Sequence, residues 1–145
     1  MSALCEAVKT YGPLLGRILI AAIFILSGYG KIGAFQGTAG QIASKRVPLP
    51  EIAAAGAIAI ELIGAILVLI GWHARWAATA LFLFMNPTTL LFHNFWAFEA
   101  AQQAAQRIHF MKNLAIMGGI LYVMAFGAGP LSVDRRRRGE TAPTT

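Results

Sequence analysis

Apolar positions along this chain gather into four long runs separated by short polar breaks. They cover Leu14–Ala34 (LLGRILIAAIFILSGYGKIGA), Ile52–Gly71, Trp76–Phe95 (WAATALFLFMNPTTLLFHNF) and Leu114–Leu131 (LAIMGGILYVMAFGAGPL). Each approaches the roughly 20 residues with which a helix crosses about 30 Å of hydrocarbon. Backbone groups in lipid must bond within their own segment, and the runs do not alternate as barrel strands would, so helices are predicted. The expected fold is all-α: an integral membrane four-helix bundle, up-down-up-down, forming one domain over residues 1–138. Residues 139–145 are expected to be a disordered tail.

The breaks differ in kind. The first, FQGTAGQIASKRVPLP, is the richest in turn residues, and its VPLP end stops one helix before Glu51 opens the next. The second, around Trp72–Arg75, is short enough to make the second and third runs an antiparallel hairpin. The third, Ala97–Lys112, contains FEAAQQAAQRI, which reads as a short interfacial helix.

Composition agrees with the pattern. Of the 145 residues, 57% are hydrophobic and only 12% charged, with a mean hydropathy of +0.64. A soluble domain carries about a quarter charged residues, so this chain cannot cover a water-facing surface. The net charge is +6, and four of its basic residues form the run Arg135–Arg138. Beside so apolar a body, that run reads as a topology signal or a contact with anionic lipid rather than with nucleic acid. With an even number of crossings, Lys9, Arg75 and Arg135–Arg138 share one side, with Arg17 near its edge. Lys45, Arg46, Arg107 and Lys112 share the other, with Lys31 near its edge. The arginine run abuts a span end, so both termini are predicted cytoplasmic. A single cysteine, Cys5, excludes an intrachain disulfide and a CxxC dithiol centre.

Polar residues inside the apolar runs are the candidates for chemistry. Glu61 is the one charged residue in Ala53–Gly71. It stands about ten residues from either end, about 15 Å deep at 1.5 Å per residue. A lone acid there costs a few kcal/mol, so it is expected to face the bundle interior, protonated or paired. Ala57, Gly64 and Ala65 share its helical face and would let another helix approach closely. Traced through the topology, Lys31, His93, Asn94, Lys112 and Asn113 fall toward the outer side and Arg17 toward the inner side. Asn86, Thr89 and His93 sit at i, i+3 and i+7, on one face. Pro87 removes a backbone donor and predicts a kink. The expected result is a polar pocket in the outer half with Glu61 at its floor; a set of purely structural hydrogen bonds and ion pairs is the competing reading. Trp72, Trp76 and Trp96 lie at span ends, as an aromatic belt places them. No metal-ligand spacing, phosphate-binding glycine loop or nucleophile motif is present.

These residues also carry a family likeness. GRILIAAIFILSGYGKIGAFQGT, then VPLP, IELIGAILVLIGWHAR, LLFHNFW, FMKNLAIMGGIL and GAGPLSVDR, in that order, resemble the DoxX family and its small bacterial inner-membrane members. The resemblance spans about Leu14–Arg138. It implies four transmembrane helices, a multi-pass protein of the bacterial inner (plasma) membrane, and a link to membrane redox assemblies; the family takes its name from a subunit associated with a thiosulfate:quinone oxidoreductase. By position, its polar signature falls on Arg17, Lys31, Glu61, His93, Lys112 and Asn113. No cysteine lies near the pocket, so sulfur chemistry would need a partner subunit or a bound cofactor.

Three functions follow as expectations. The first is a redox-accessory subunit, at most part of an oxidoreductase, that binds a quinone or small polar ligand around Glu61. Lys31 and Asn113 would donate to the head group while Glu61 or His93 relays protons. The second is a small transporter or channel, which would require a homo-oligomer. The third is a structural scaffold in a membrane assembly. Expected partners are the lipid bilayer, a membrane or peripheral redox protein and further copies of the chain, without nucleic acid.

Overall fold

The computed structural model describes residues 2–139, which form helices and turns with no strand among them. The elements are α1 (Ser2–Gly33), α2 (Phe35–Ser44), α3 (Pro50–Ile70), α4 (Ala74–Phe92), α5 (Ala100–Phe126) and α6 (Val133–Arg137), with a 3-10 turn at Phe95–Ala97. The tail expected at 139–145 lies outside the described residues apart from Gly139.

Three helices among the described residues are long and apolar enough to cross a membrane: α1, α3 and α5. Helix α4, the third apolar run, carries Arg75 at its start and the polar stretch Asn86–Thr89 near its end. All four nevertheless share one core. Ala21 and Phe24 of α1, Ala65 and Val68 of α3, Ala77, Ala78 and Leu81 of α4, and Met117, Ile120 and Val123 of α5 are buried together. Each helix supplies these at spacings of three and four, the period of one helical face. Large apolar side chains elsewhere point outward, among them Leu26, Ile63, Leu83 and Tyr122. In water such a surface would be an aggregation liability; against acyl chains it is the expected exterior.

Small residues set how closely the helices approach. A Cβ on Gly28 would lie 2.8 Å from Leu62 Cγ, and one on Gly64 would lie 2.9 Å from Leu81 Cγ. These glycines bring α1 onto α3 and α3 onto α4 on either side of Glu61.

The helix ends depart from the sequence reading in four places. Helix α1 begins far before Leu14 and runs through Pro13, because Cys5–Lys9 form good helical turns although they are not apolar enough to extend the run. The turn-rich first connection contains α2, whose Phe35, Ala39 and Ile42 recur at helical spacing and turn Ala39 and Ile42 inward. FEAAQQAAQRI is not a separate helix: α5 runs unbroken from Ala100. At its other end α5 stops at Phe126, short of Leu131. Gly127 and Gly129 take φ of 81° and 80°, a region that suits glycine and breaks the helix.

The end of the molecule near Gly71 is fastened by backbone caps. Gly71, at φ 70°, ends α3 with Trp72 N–H donating to the Leu67 carbonyl and Gly71 N–H to the Val68 carbonyl, a Schellman arrangement. Arg17, only 1% exposed, donates from Nη1 to the Val68 and Leu69 carbonyls and from Nη2 to the Leu131 carbonyl. A guanidinium thus meets carbonyls in the last turn of α3. Asp134 closes the same end from α6: Oδ1 accepts from His73 N–H at 2.8 Å and Oδ2 from Ala74 N–H at 2.9 Å, capping α4.

Two expected outcomes follow. Arg17→Met removes a donor from three carbonyls, of which Val68 keeps the Gly71 N–H; at about 1–3 kcal/mol for each buried group left unsatisfied, it lowers stability by about 2 kcal/mol or more in thermal unfolding of the detergent-solubilised protein. Gly64→Val drives an isopropyl group, whose Cβ alone would lie 2.9 Å from Leu81 Cγ, into α4 and costs about 1–3 kcal/mol by overpacking in the same assay.

Candidate functional site

Glu61, 4% exposed, sits midway along α3 and faces α1. Lys31, in the last turn of α1, donates from Nζ to Glu61 Oε1 at 2.8 Å and Oε2 at 2.9 Å. The third Nζ–H goes to Ser27 Oγ, one turn back on α1. An ammonium has three donors, and all three are used. The carboxylate is therefore buried with a cation and two hydrogen bonds, the condition under which a buried charge is tolerated.

The facing wall comes from α4 and α5. Asn113 Nδ2 donates to Thr89 Oγ1 at 3.1 Å. His93, at the C-cap of α4, has Nδ1 2.8 Å from Gln106 Oε1, and its ring stacks on His109 with centroids 5.3 Å apart. Lys112 Nζ lies 3.4 Å from His109 Nδ1.

Between the two walls is a cavity of about 450 Å³ lined by Lys31, Glu61, Thr88, Thr89, His93, Lys112 and Asn113, with Ile23, Phe24, Met85 and Ile116 as apolar surface. Two ammonium groups face one carboxylate there. A second cavity of about 420 Å³ adjoins it and shares Lys31, Phe84, Thr88 and His93. Its other walls are mainly apolar: Ile42 of α2, Val47, Ala53 and Ala57 of α3, and Pro87, Leu91 and Phe92 at the end of α4.

Of the residues singled out from sequence, the structure brings Lys31, Glu61, His93, Lys112 and Asn113 to one cavity. Arg17 is at the other end, on backbone carbonyls. Asn86 turns onto its own helix and donates to the Phe82 carbonyl at 2.8 Å, so only Thr89 and His93 of the shared face line the cavity. Asn94 lies past the end of α4; its Oδ1 is buried with no hydrogen-bond partner among the described residues, and it lines neither cavity. Sequence reasoning missed Ser27, Thr88 and Gln106. Ser27 was accessible, since it stands four residues before Lys31 on a helix; Gln106 meets His93 only through tertiary packing.

A DoxX family model matches residues 12–94. The chain is 33% identical over 123 residues to the inner membrane protein YphA of Escherichia coli K12, covering 85% of this chain and 88% of YphA. It is 36% identical over 135 residues to the inner membrane protein YqjF of the same organism, covering 90% of this chain and 95% of YqjF. A more distant likeness, 26% over 133 residues, joins it to the ER-derived vesicles protein ERV29 of Saccharomyces cerevisiae, covering 92% of this chain but 36% of that protein. No solved structure matches. Crossing-length apolar helices, the family match and inner-membrane relatives matched over most of both chains agree: this is a multi-pass inner-membrane protein, and the chain belongs to the DoxX family.

Proposed function

We propose that this chain is an accessory subunit of a membrane redox assembly and holds a quinone-like ligand, its polar head in the first cavity and its apolar tail in the second. One observation carries the reading: a donor-rich chamber and an apolar chamber share a wall of Lys31, Phe84, Thr88 and His93. A head group with two carbonyl oxygens needs hydrogen-bond donors, and Lys112 and Asn113 offer them on the α5 side. Reduction of such a head group takes up protons, and His93, held by Gln106 and stacked on His109, is the group suited to deliver them. Glu61 serves in this reading through Lys31, holding its ammonium at the chamber wall. The electrons come from a membrane or peripheral partner protein.

In this reading α4 crosses the membrane with α1, α3 and α5, giving an up-down-up-down bundle with both termini cytoplasmic. Support comes from the burial of α4 along its length and from Arg75 and the arginines of α6 gathering at one end.

A scaffold role is the second reading, favoured by one feature. The Lys31 ammonium spends all three donors on Glu61 and Ser27, joining α1 to α3 without any ligand.

The two separate in a thermal-shift titration of the purified protein with a short-tailed ubiquinone analogue. At a hundredfold excess over Kd, bound ligand stabilises the wild type by about 2.7 kcal/mol. Asn113→Leu, which replaces a donor with apolar bulk, is expected to abolish that shift. No shift in the wild type contradicts quinone binding, and a full shift in Asn113→Leu contradicts this cavity as the site.

A further inference from the structure

The end of the molecule away from Glu61 carries a third cavity, of about 160 Å³, that the quinone reading does not use. It is lined by Arg75 at the start of α4, by the turn Gly127–Gly129 after α5, and by Arg135 and Arg138 of the α6 segment. The turn needs glycine for its backbone: Gly127 and Gly129 have φ of 81° and 80°.

The charge at this cavity is lopsided. Among the described residues, three guanidinium groups line it with one carboxylate, Asp134. Guanidinium groups present planar donor forks that match phosphate oxygens.

Its depth is marked independently. Trp76, next to Arg75 at the start of α4, is 77% exposed. Tryptophan is enriched at the membrane–water interface, at headgroup level. An outward Trp76 puts the neighbouring cavity near that level.

We propose that this cavity is a phosphate site, filled by the headgroup of an anionic phospholipid. Arg75 and Arg138 grip the phosphate from two separate segments of the chain, so occupancy ties the α6 segment to the start of α4. Arg136 and Arg137 do not line the cavity and add only to the general field that draws anionic lipid toward basic segments.

Native mass spectrometry of the full chain, released from mixed micelles containing phosphatidylglycerol or phosphatidylcholine, tests the site. The wild type is expected to retain phosphatidylglycerol at least tenfold more than phosphatidylcholine. Arg75→Gln/Arg138→Gln is expected to lose that preference, while Arg136→Gln/Arg137→Gln, with the same change in net charge, keeps it. Equal loss in both double variants overturns the cavity as the site, because only the summed charge would then matter. Retention of phosphatidylglycerol by Arg75→Gln/Arg138→Gln overturns it as well. Inorganic phosphate supplied in a parallel sample separates the sources: displacement of the lipid at millimolar phosphate overturns the assignment to a lipid headgroup. A melting temperature for each variant identifies any that fails to fold, and single Arg75→Gln and Arg138→Gln variants, each expected to weaken the preference, then replace it.

Discussion

A carboxylate buried midway along a membrane helix has to meet a cation, and in this protein the meeting of Glu61 with Lys31 governs much else. Lys31 comes from α1 and Glu61 from α3, so satisfying the acid fixes which face of each helix looks at the other. Gly28 permits the approach by leaving room for Leu62, and Gly64 does the same for Leu81 on the α4 side. A buried ion pair is weak evidence of net stability, since desolvation offsets much of its attraction. Its consequence here is positional: it holds an ammonium at the wall of a chamber that α4 and α5 close from the other side.

The polar side chains buried in this apolar body divide between two ends with different work. Around Gly71, Arg17 and Asp134 are spent on backbone groups: the guanidinium on carbonyls at the end of α3, the carboxylate on N–H groups at the start of α4. Arg75 and Arg138 line the small third cavity at the same end. Around Glu61 the balance differs. Lys112, His93 and Asn113 touch one another's neighbours but keep capacity to bond a guest, and an apolar chamber lies beside them.

Much of this was legible in the sequence, and what was not has physical causes. The apolar runs and the place of Glu61 midway along its helix follow from hydropathy and spacing alone. The small residues on its face, Gly64 and Ala65, announced close packing, and both are buried. The first turns of α1 and the start of α5 were missed as parts of long helices because hydropathy finds oil-facing length rather than helical length. Helix α2 was hidden by its glycines, although Phe35, Ala39 and Ile42 carry its inward face. Asn86 was grouped with Thr89 by spacing, but an asparagine on a helix can bond back to the carbonyl four residues earlier, and this one does. The cap from Asp134 to α4 and the partnership of Gln106 with His93 join residues far apart in the chain, and no local pattern encodes them.

Lys31 and Glu61 act as one unit, and a double-mutant cycle measures their coupling directly. Unfolding free energies of wild type, Lys31→Met, Glu61→Gln and the double variant give the coupling between the two side chains. Strong non-additivity is expected, of about 1–3 kcal/mol, with the double variant far more stable than the sum of the single losses allows. Single effects that add to within about 0.5 kcal/mol would mean that the two residues do not depend on each other, and would contradict that coupling.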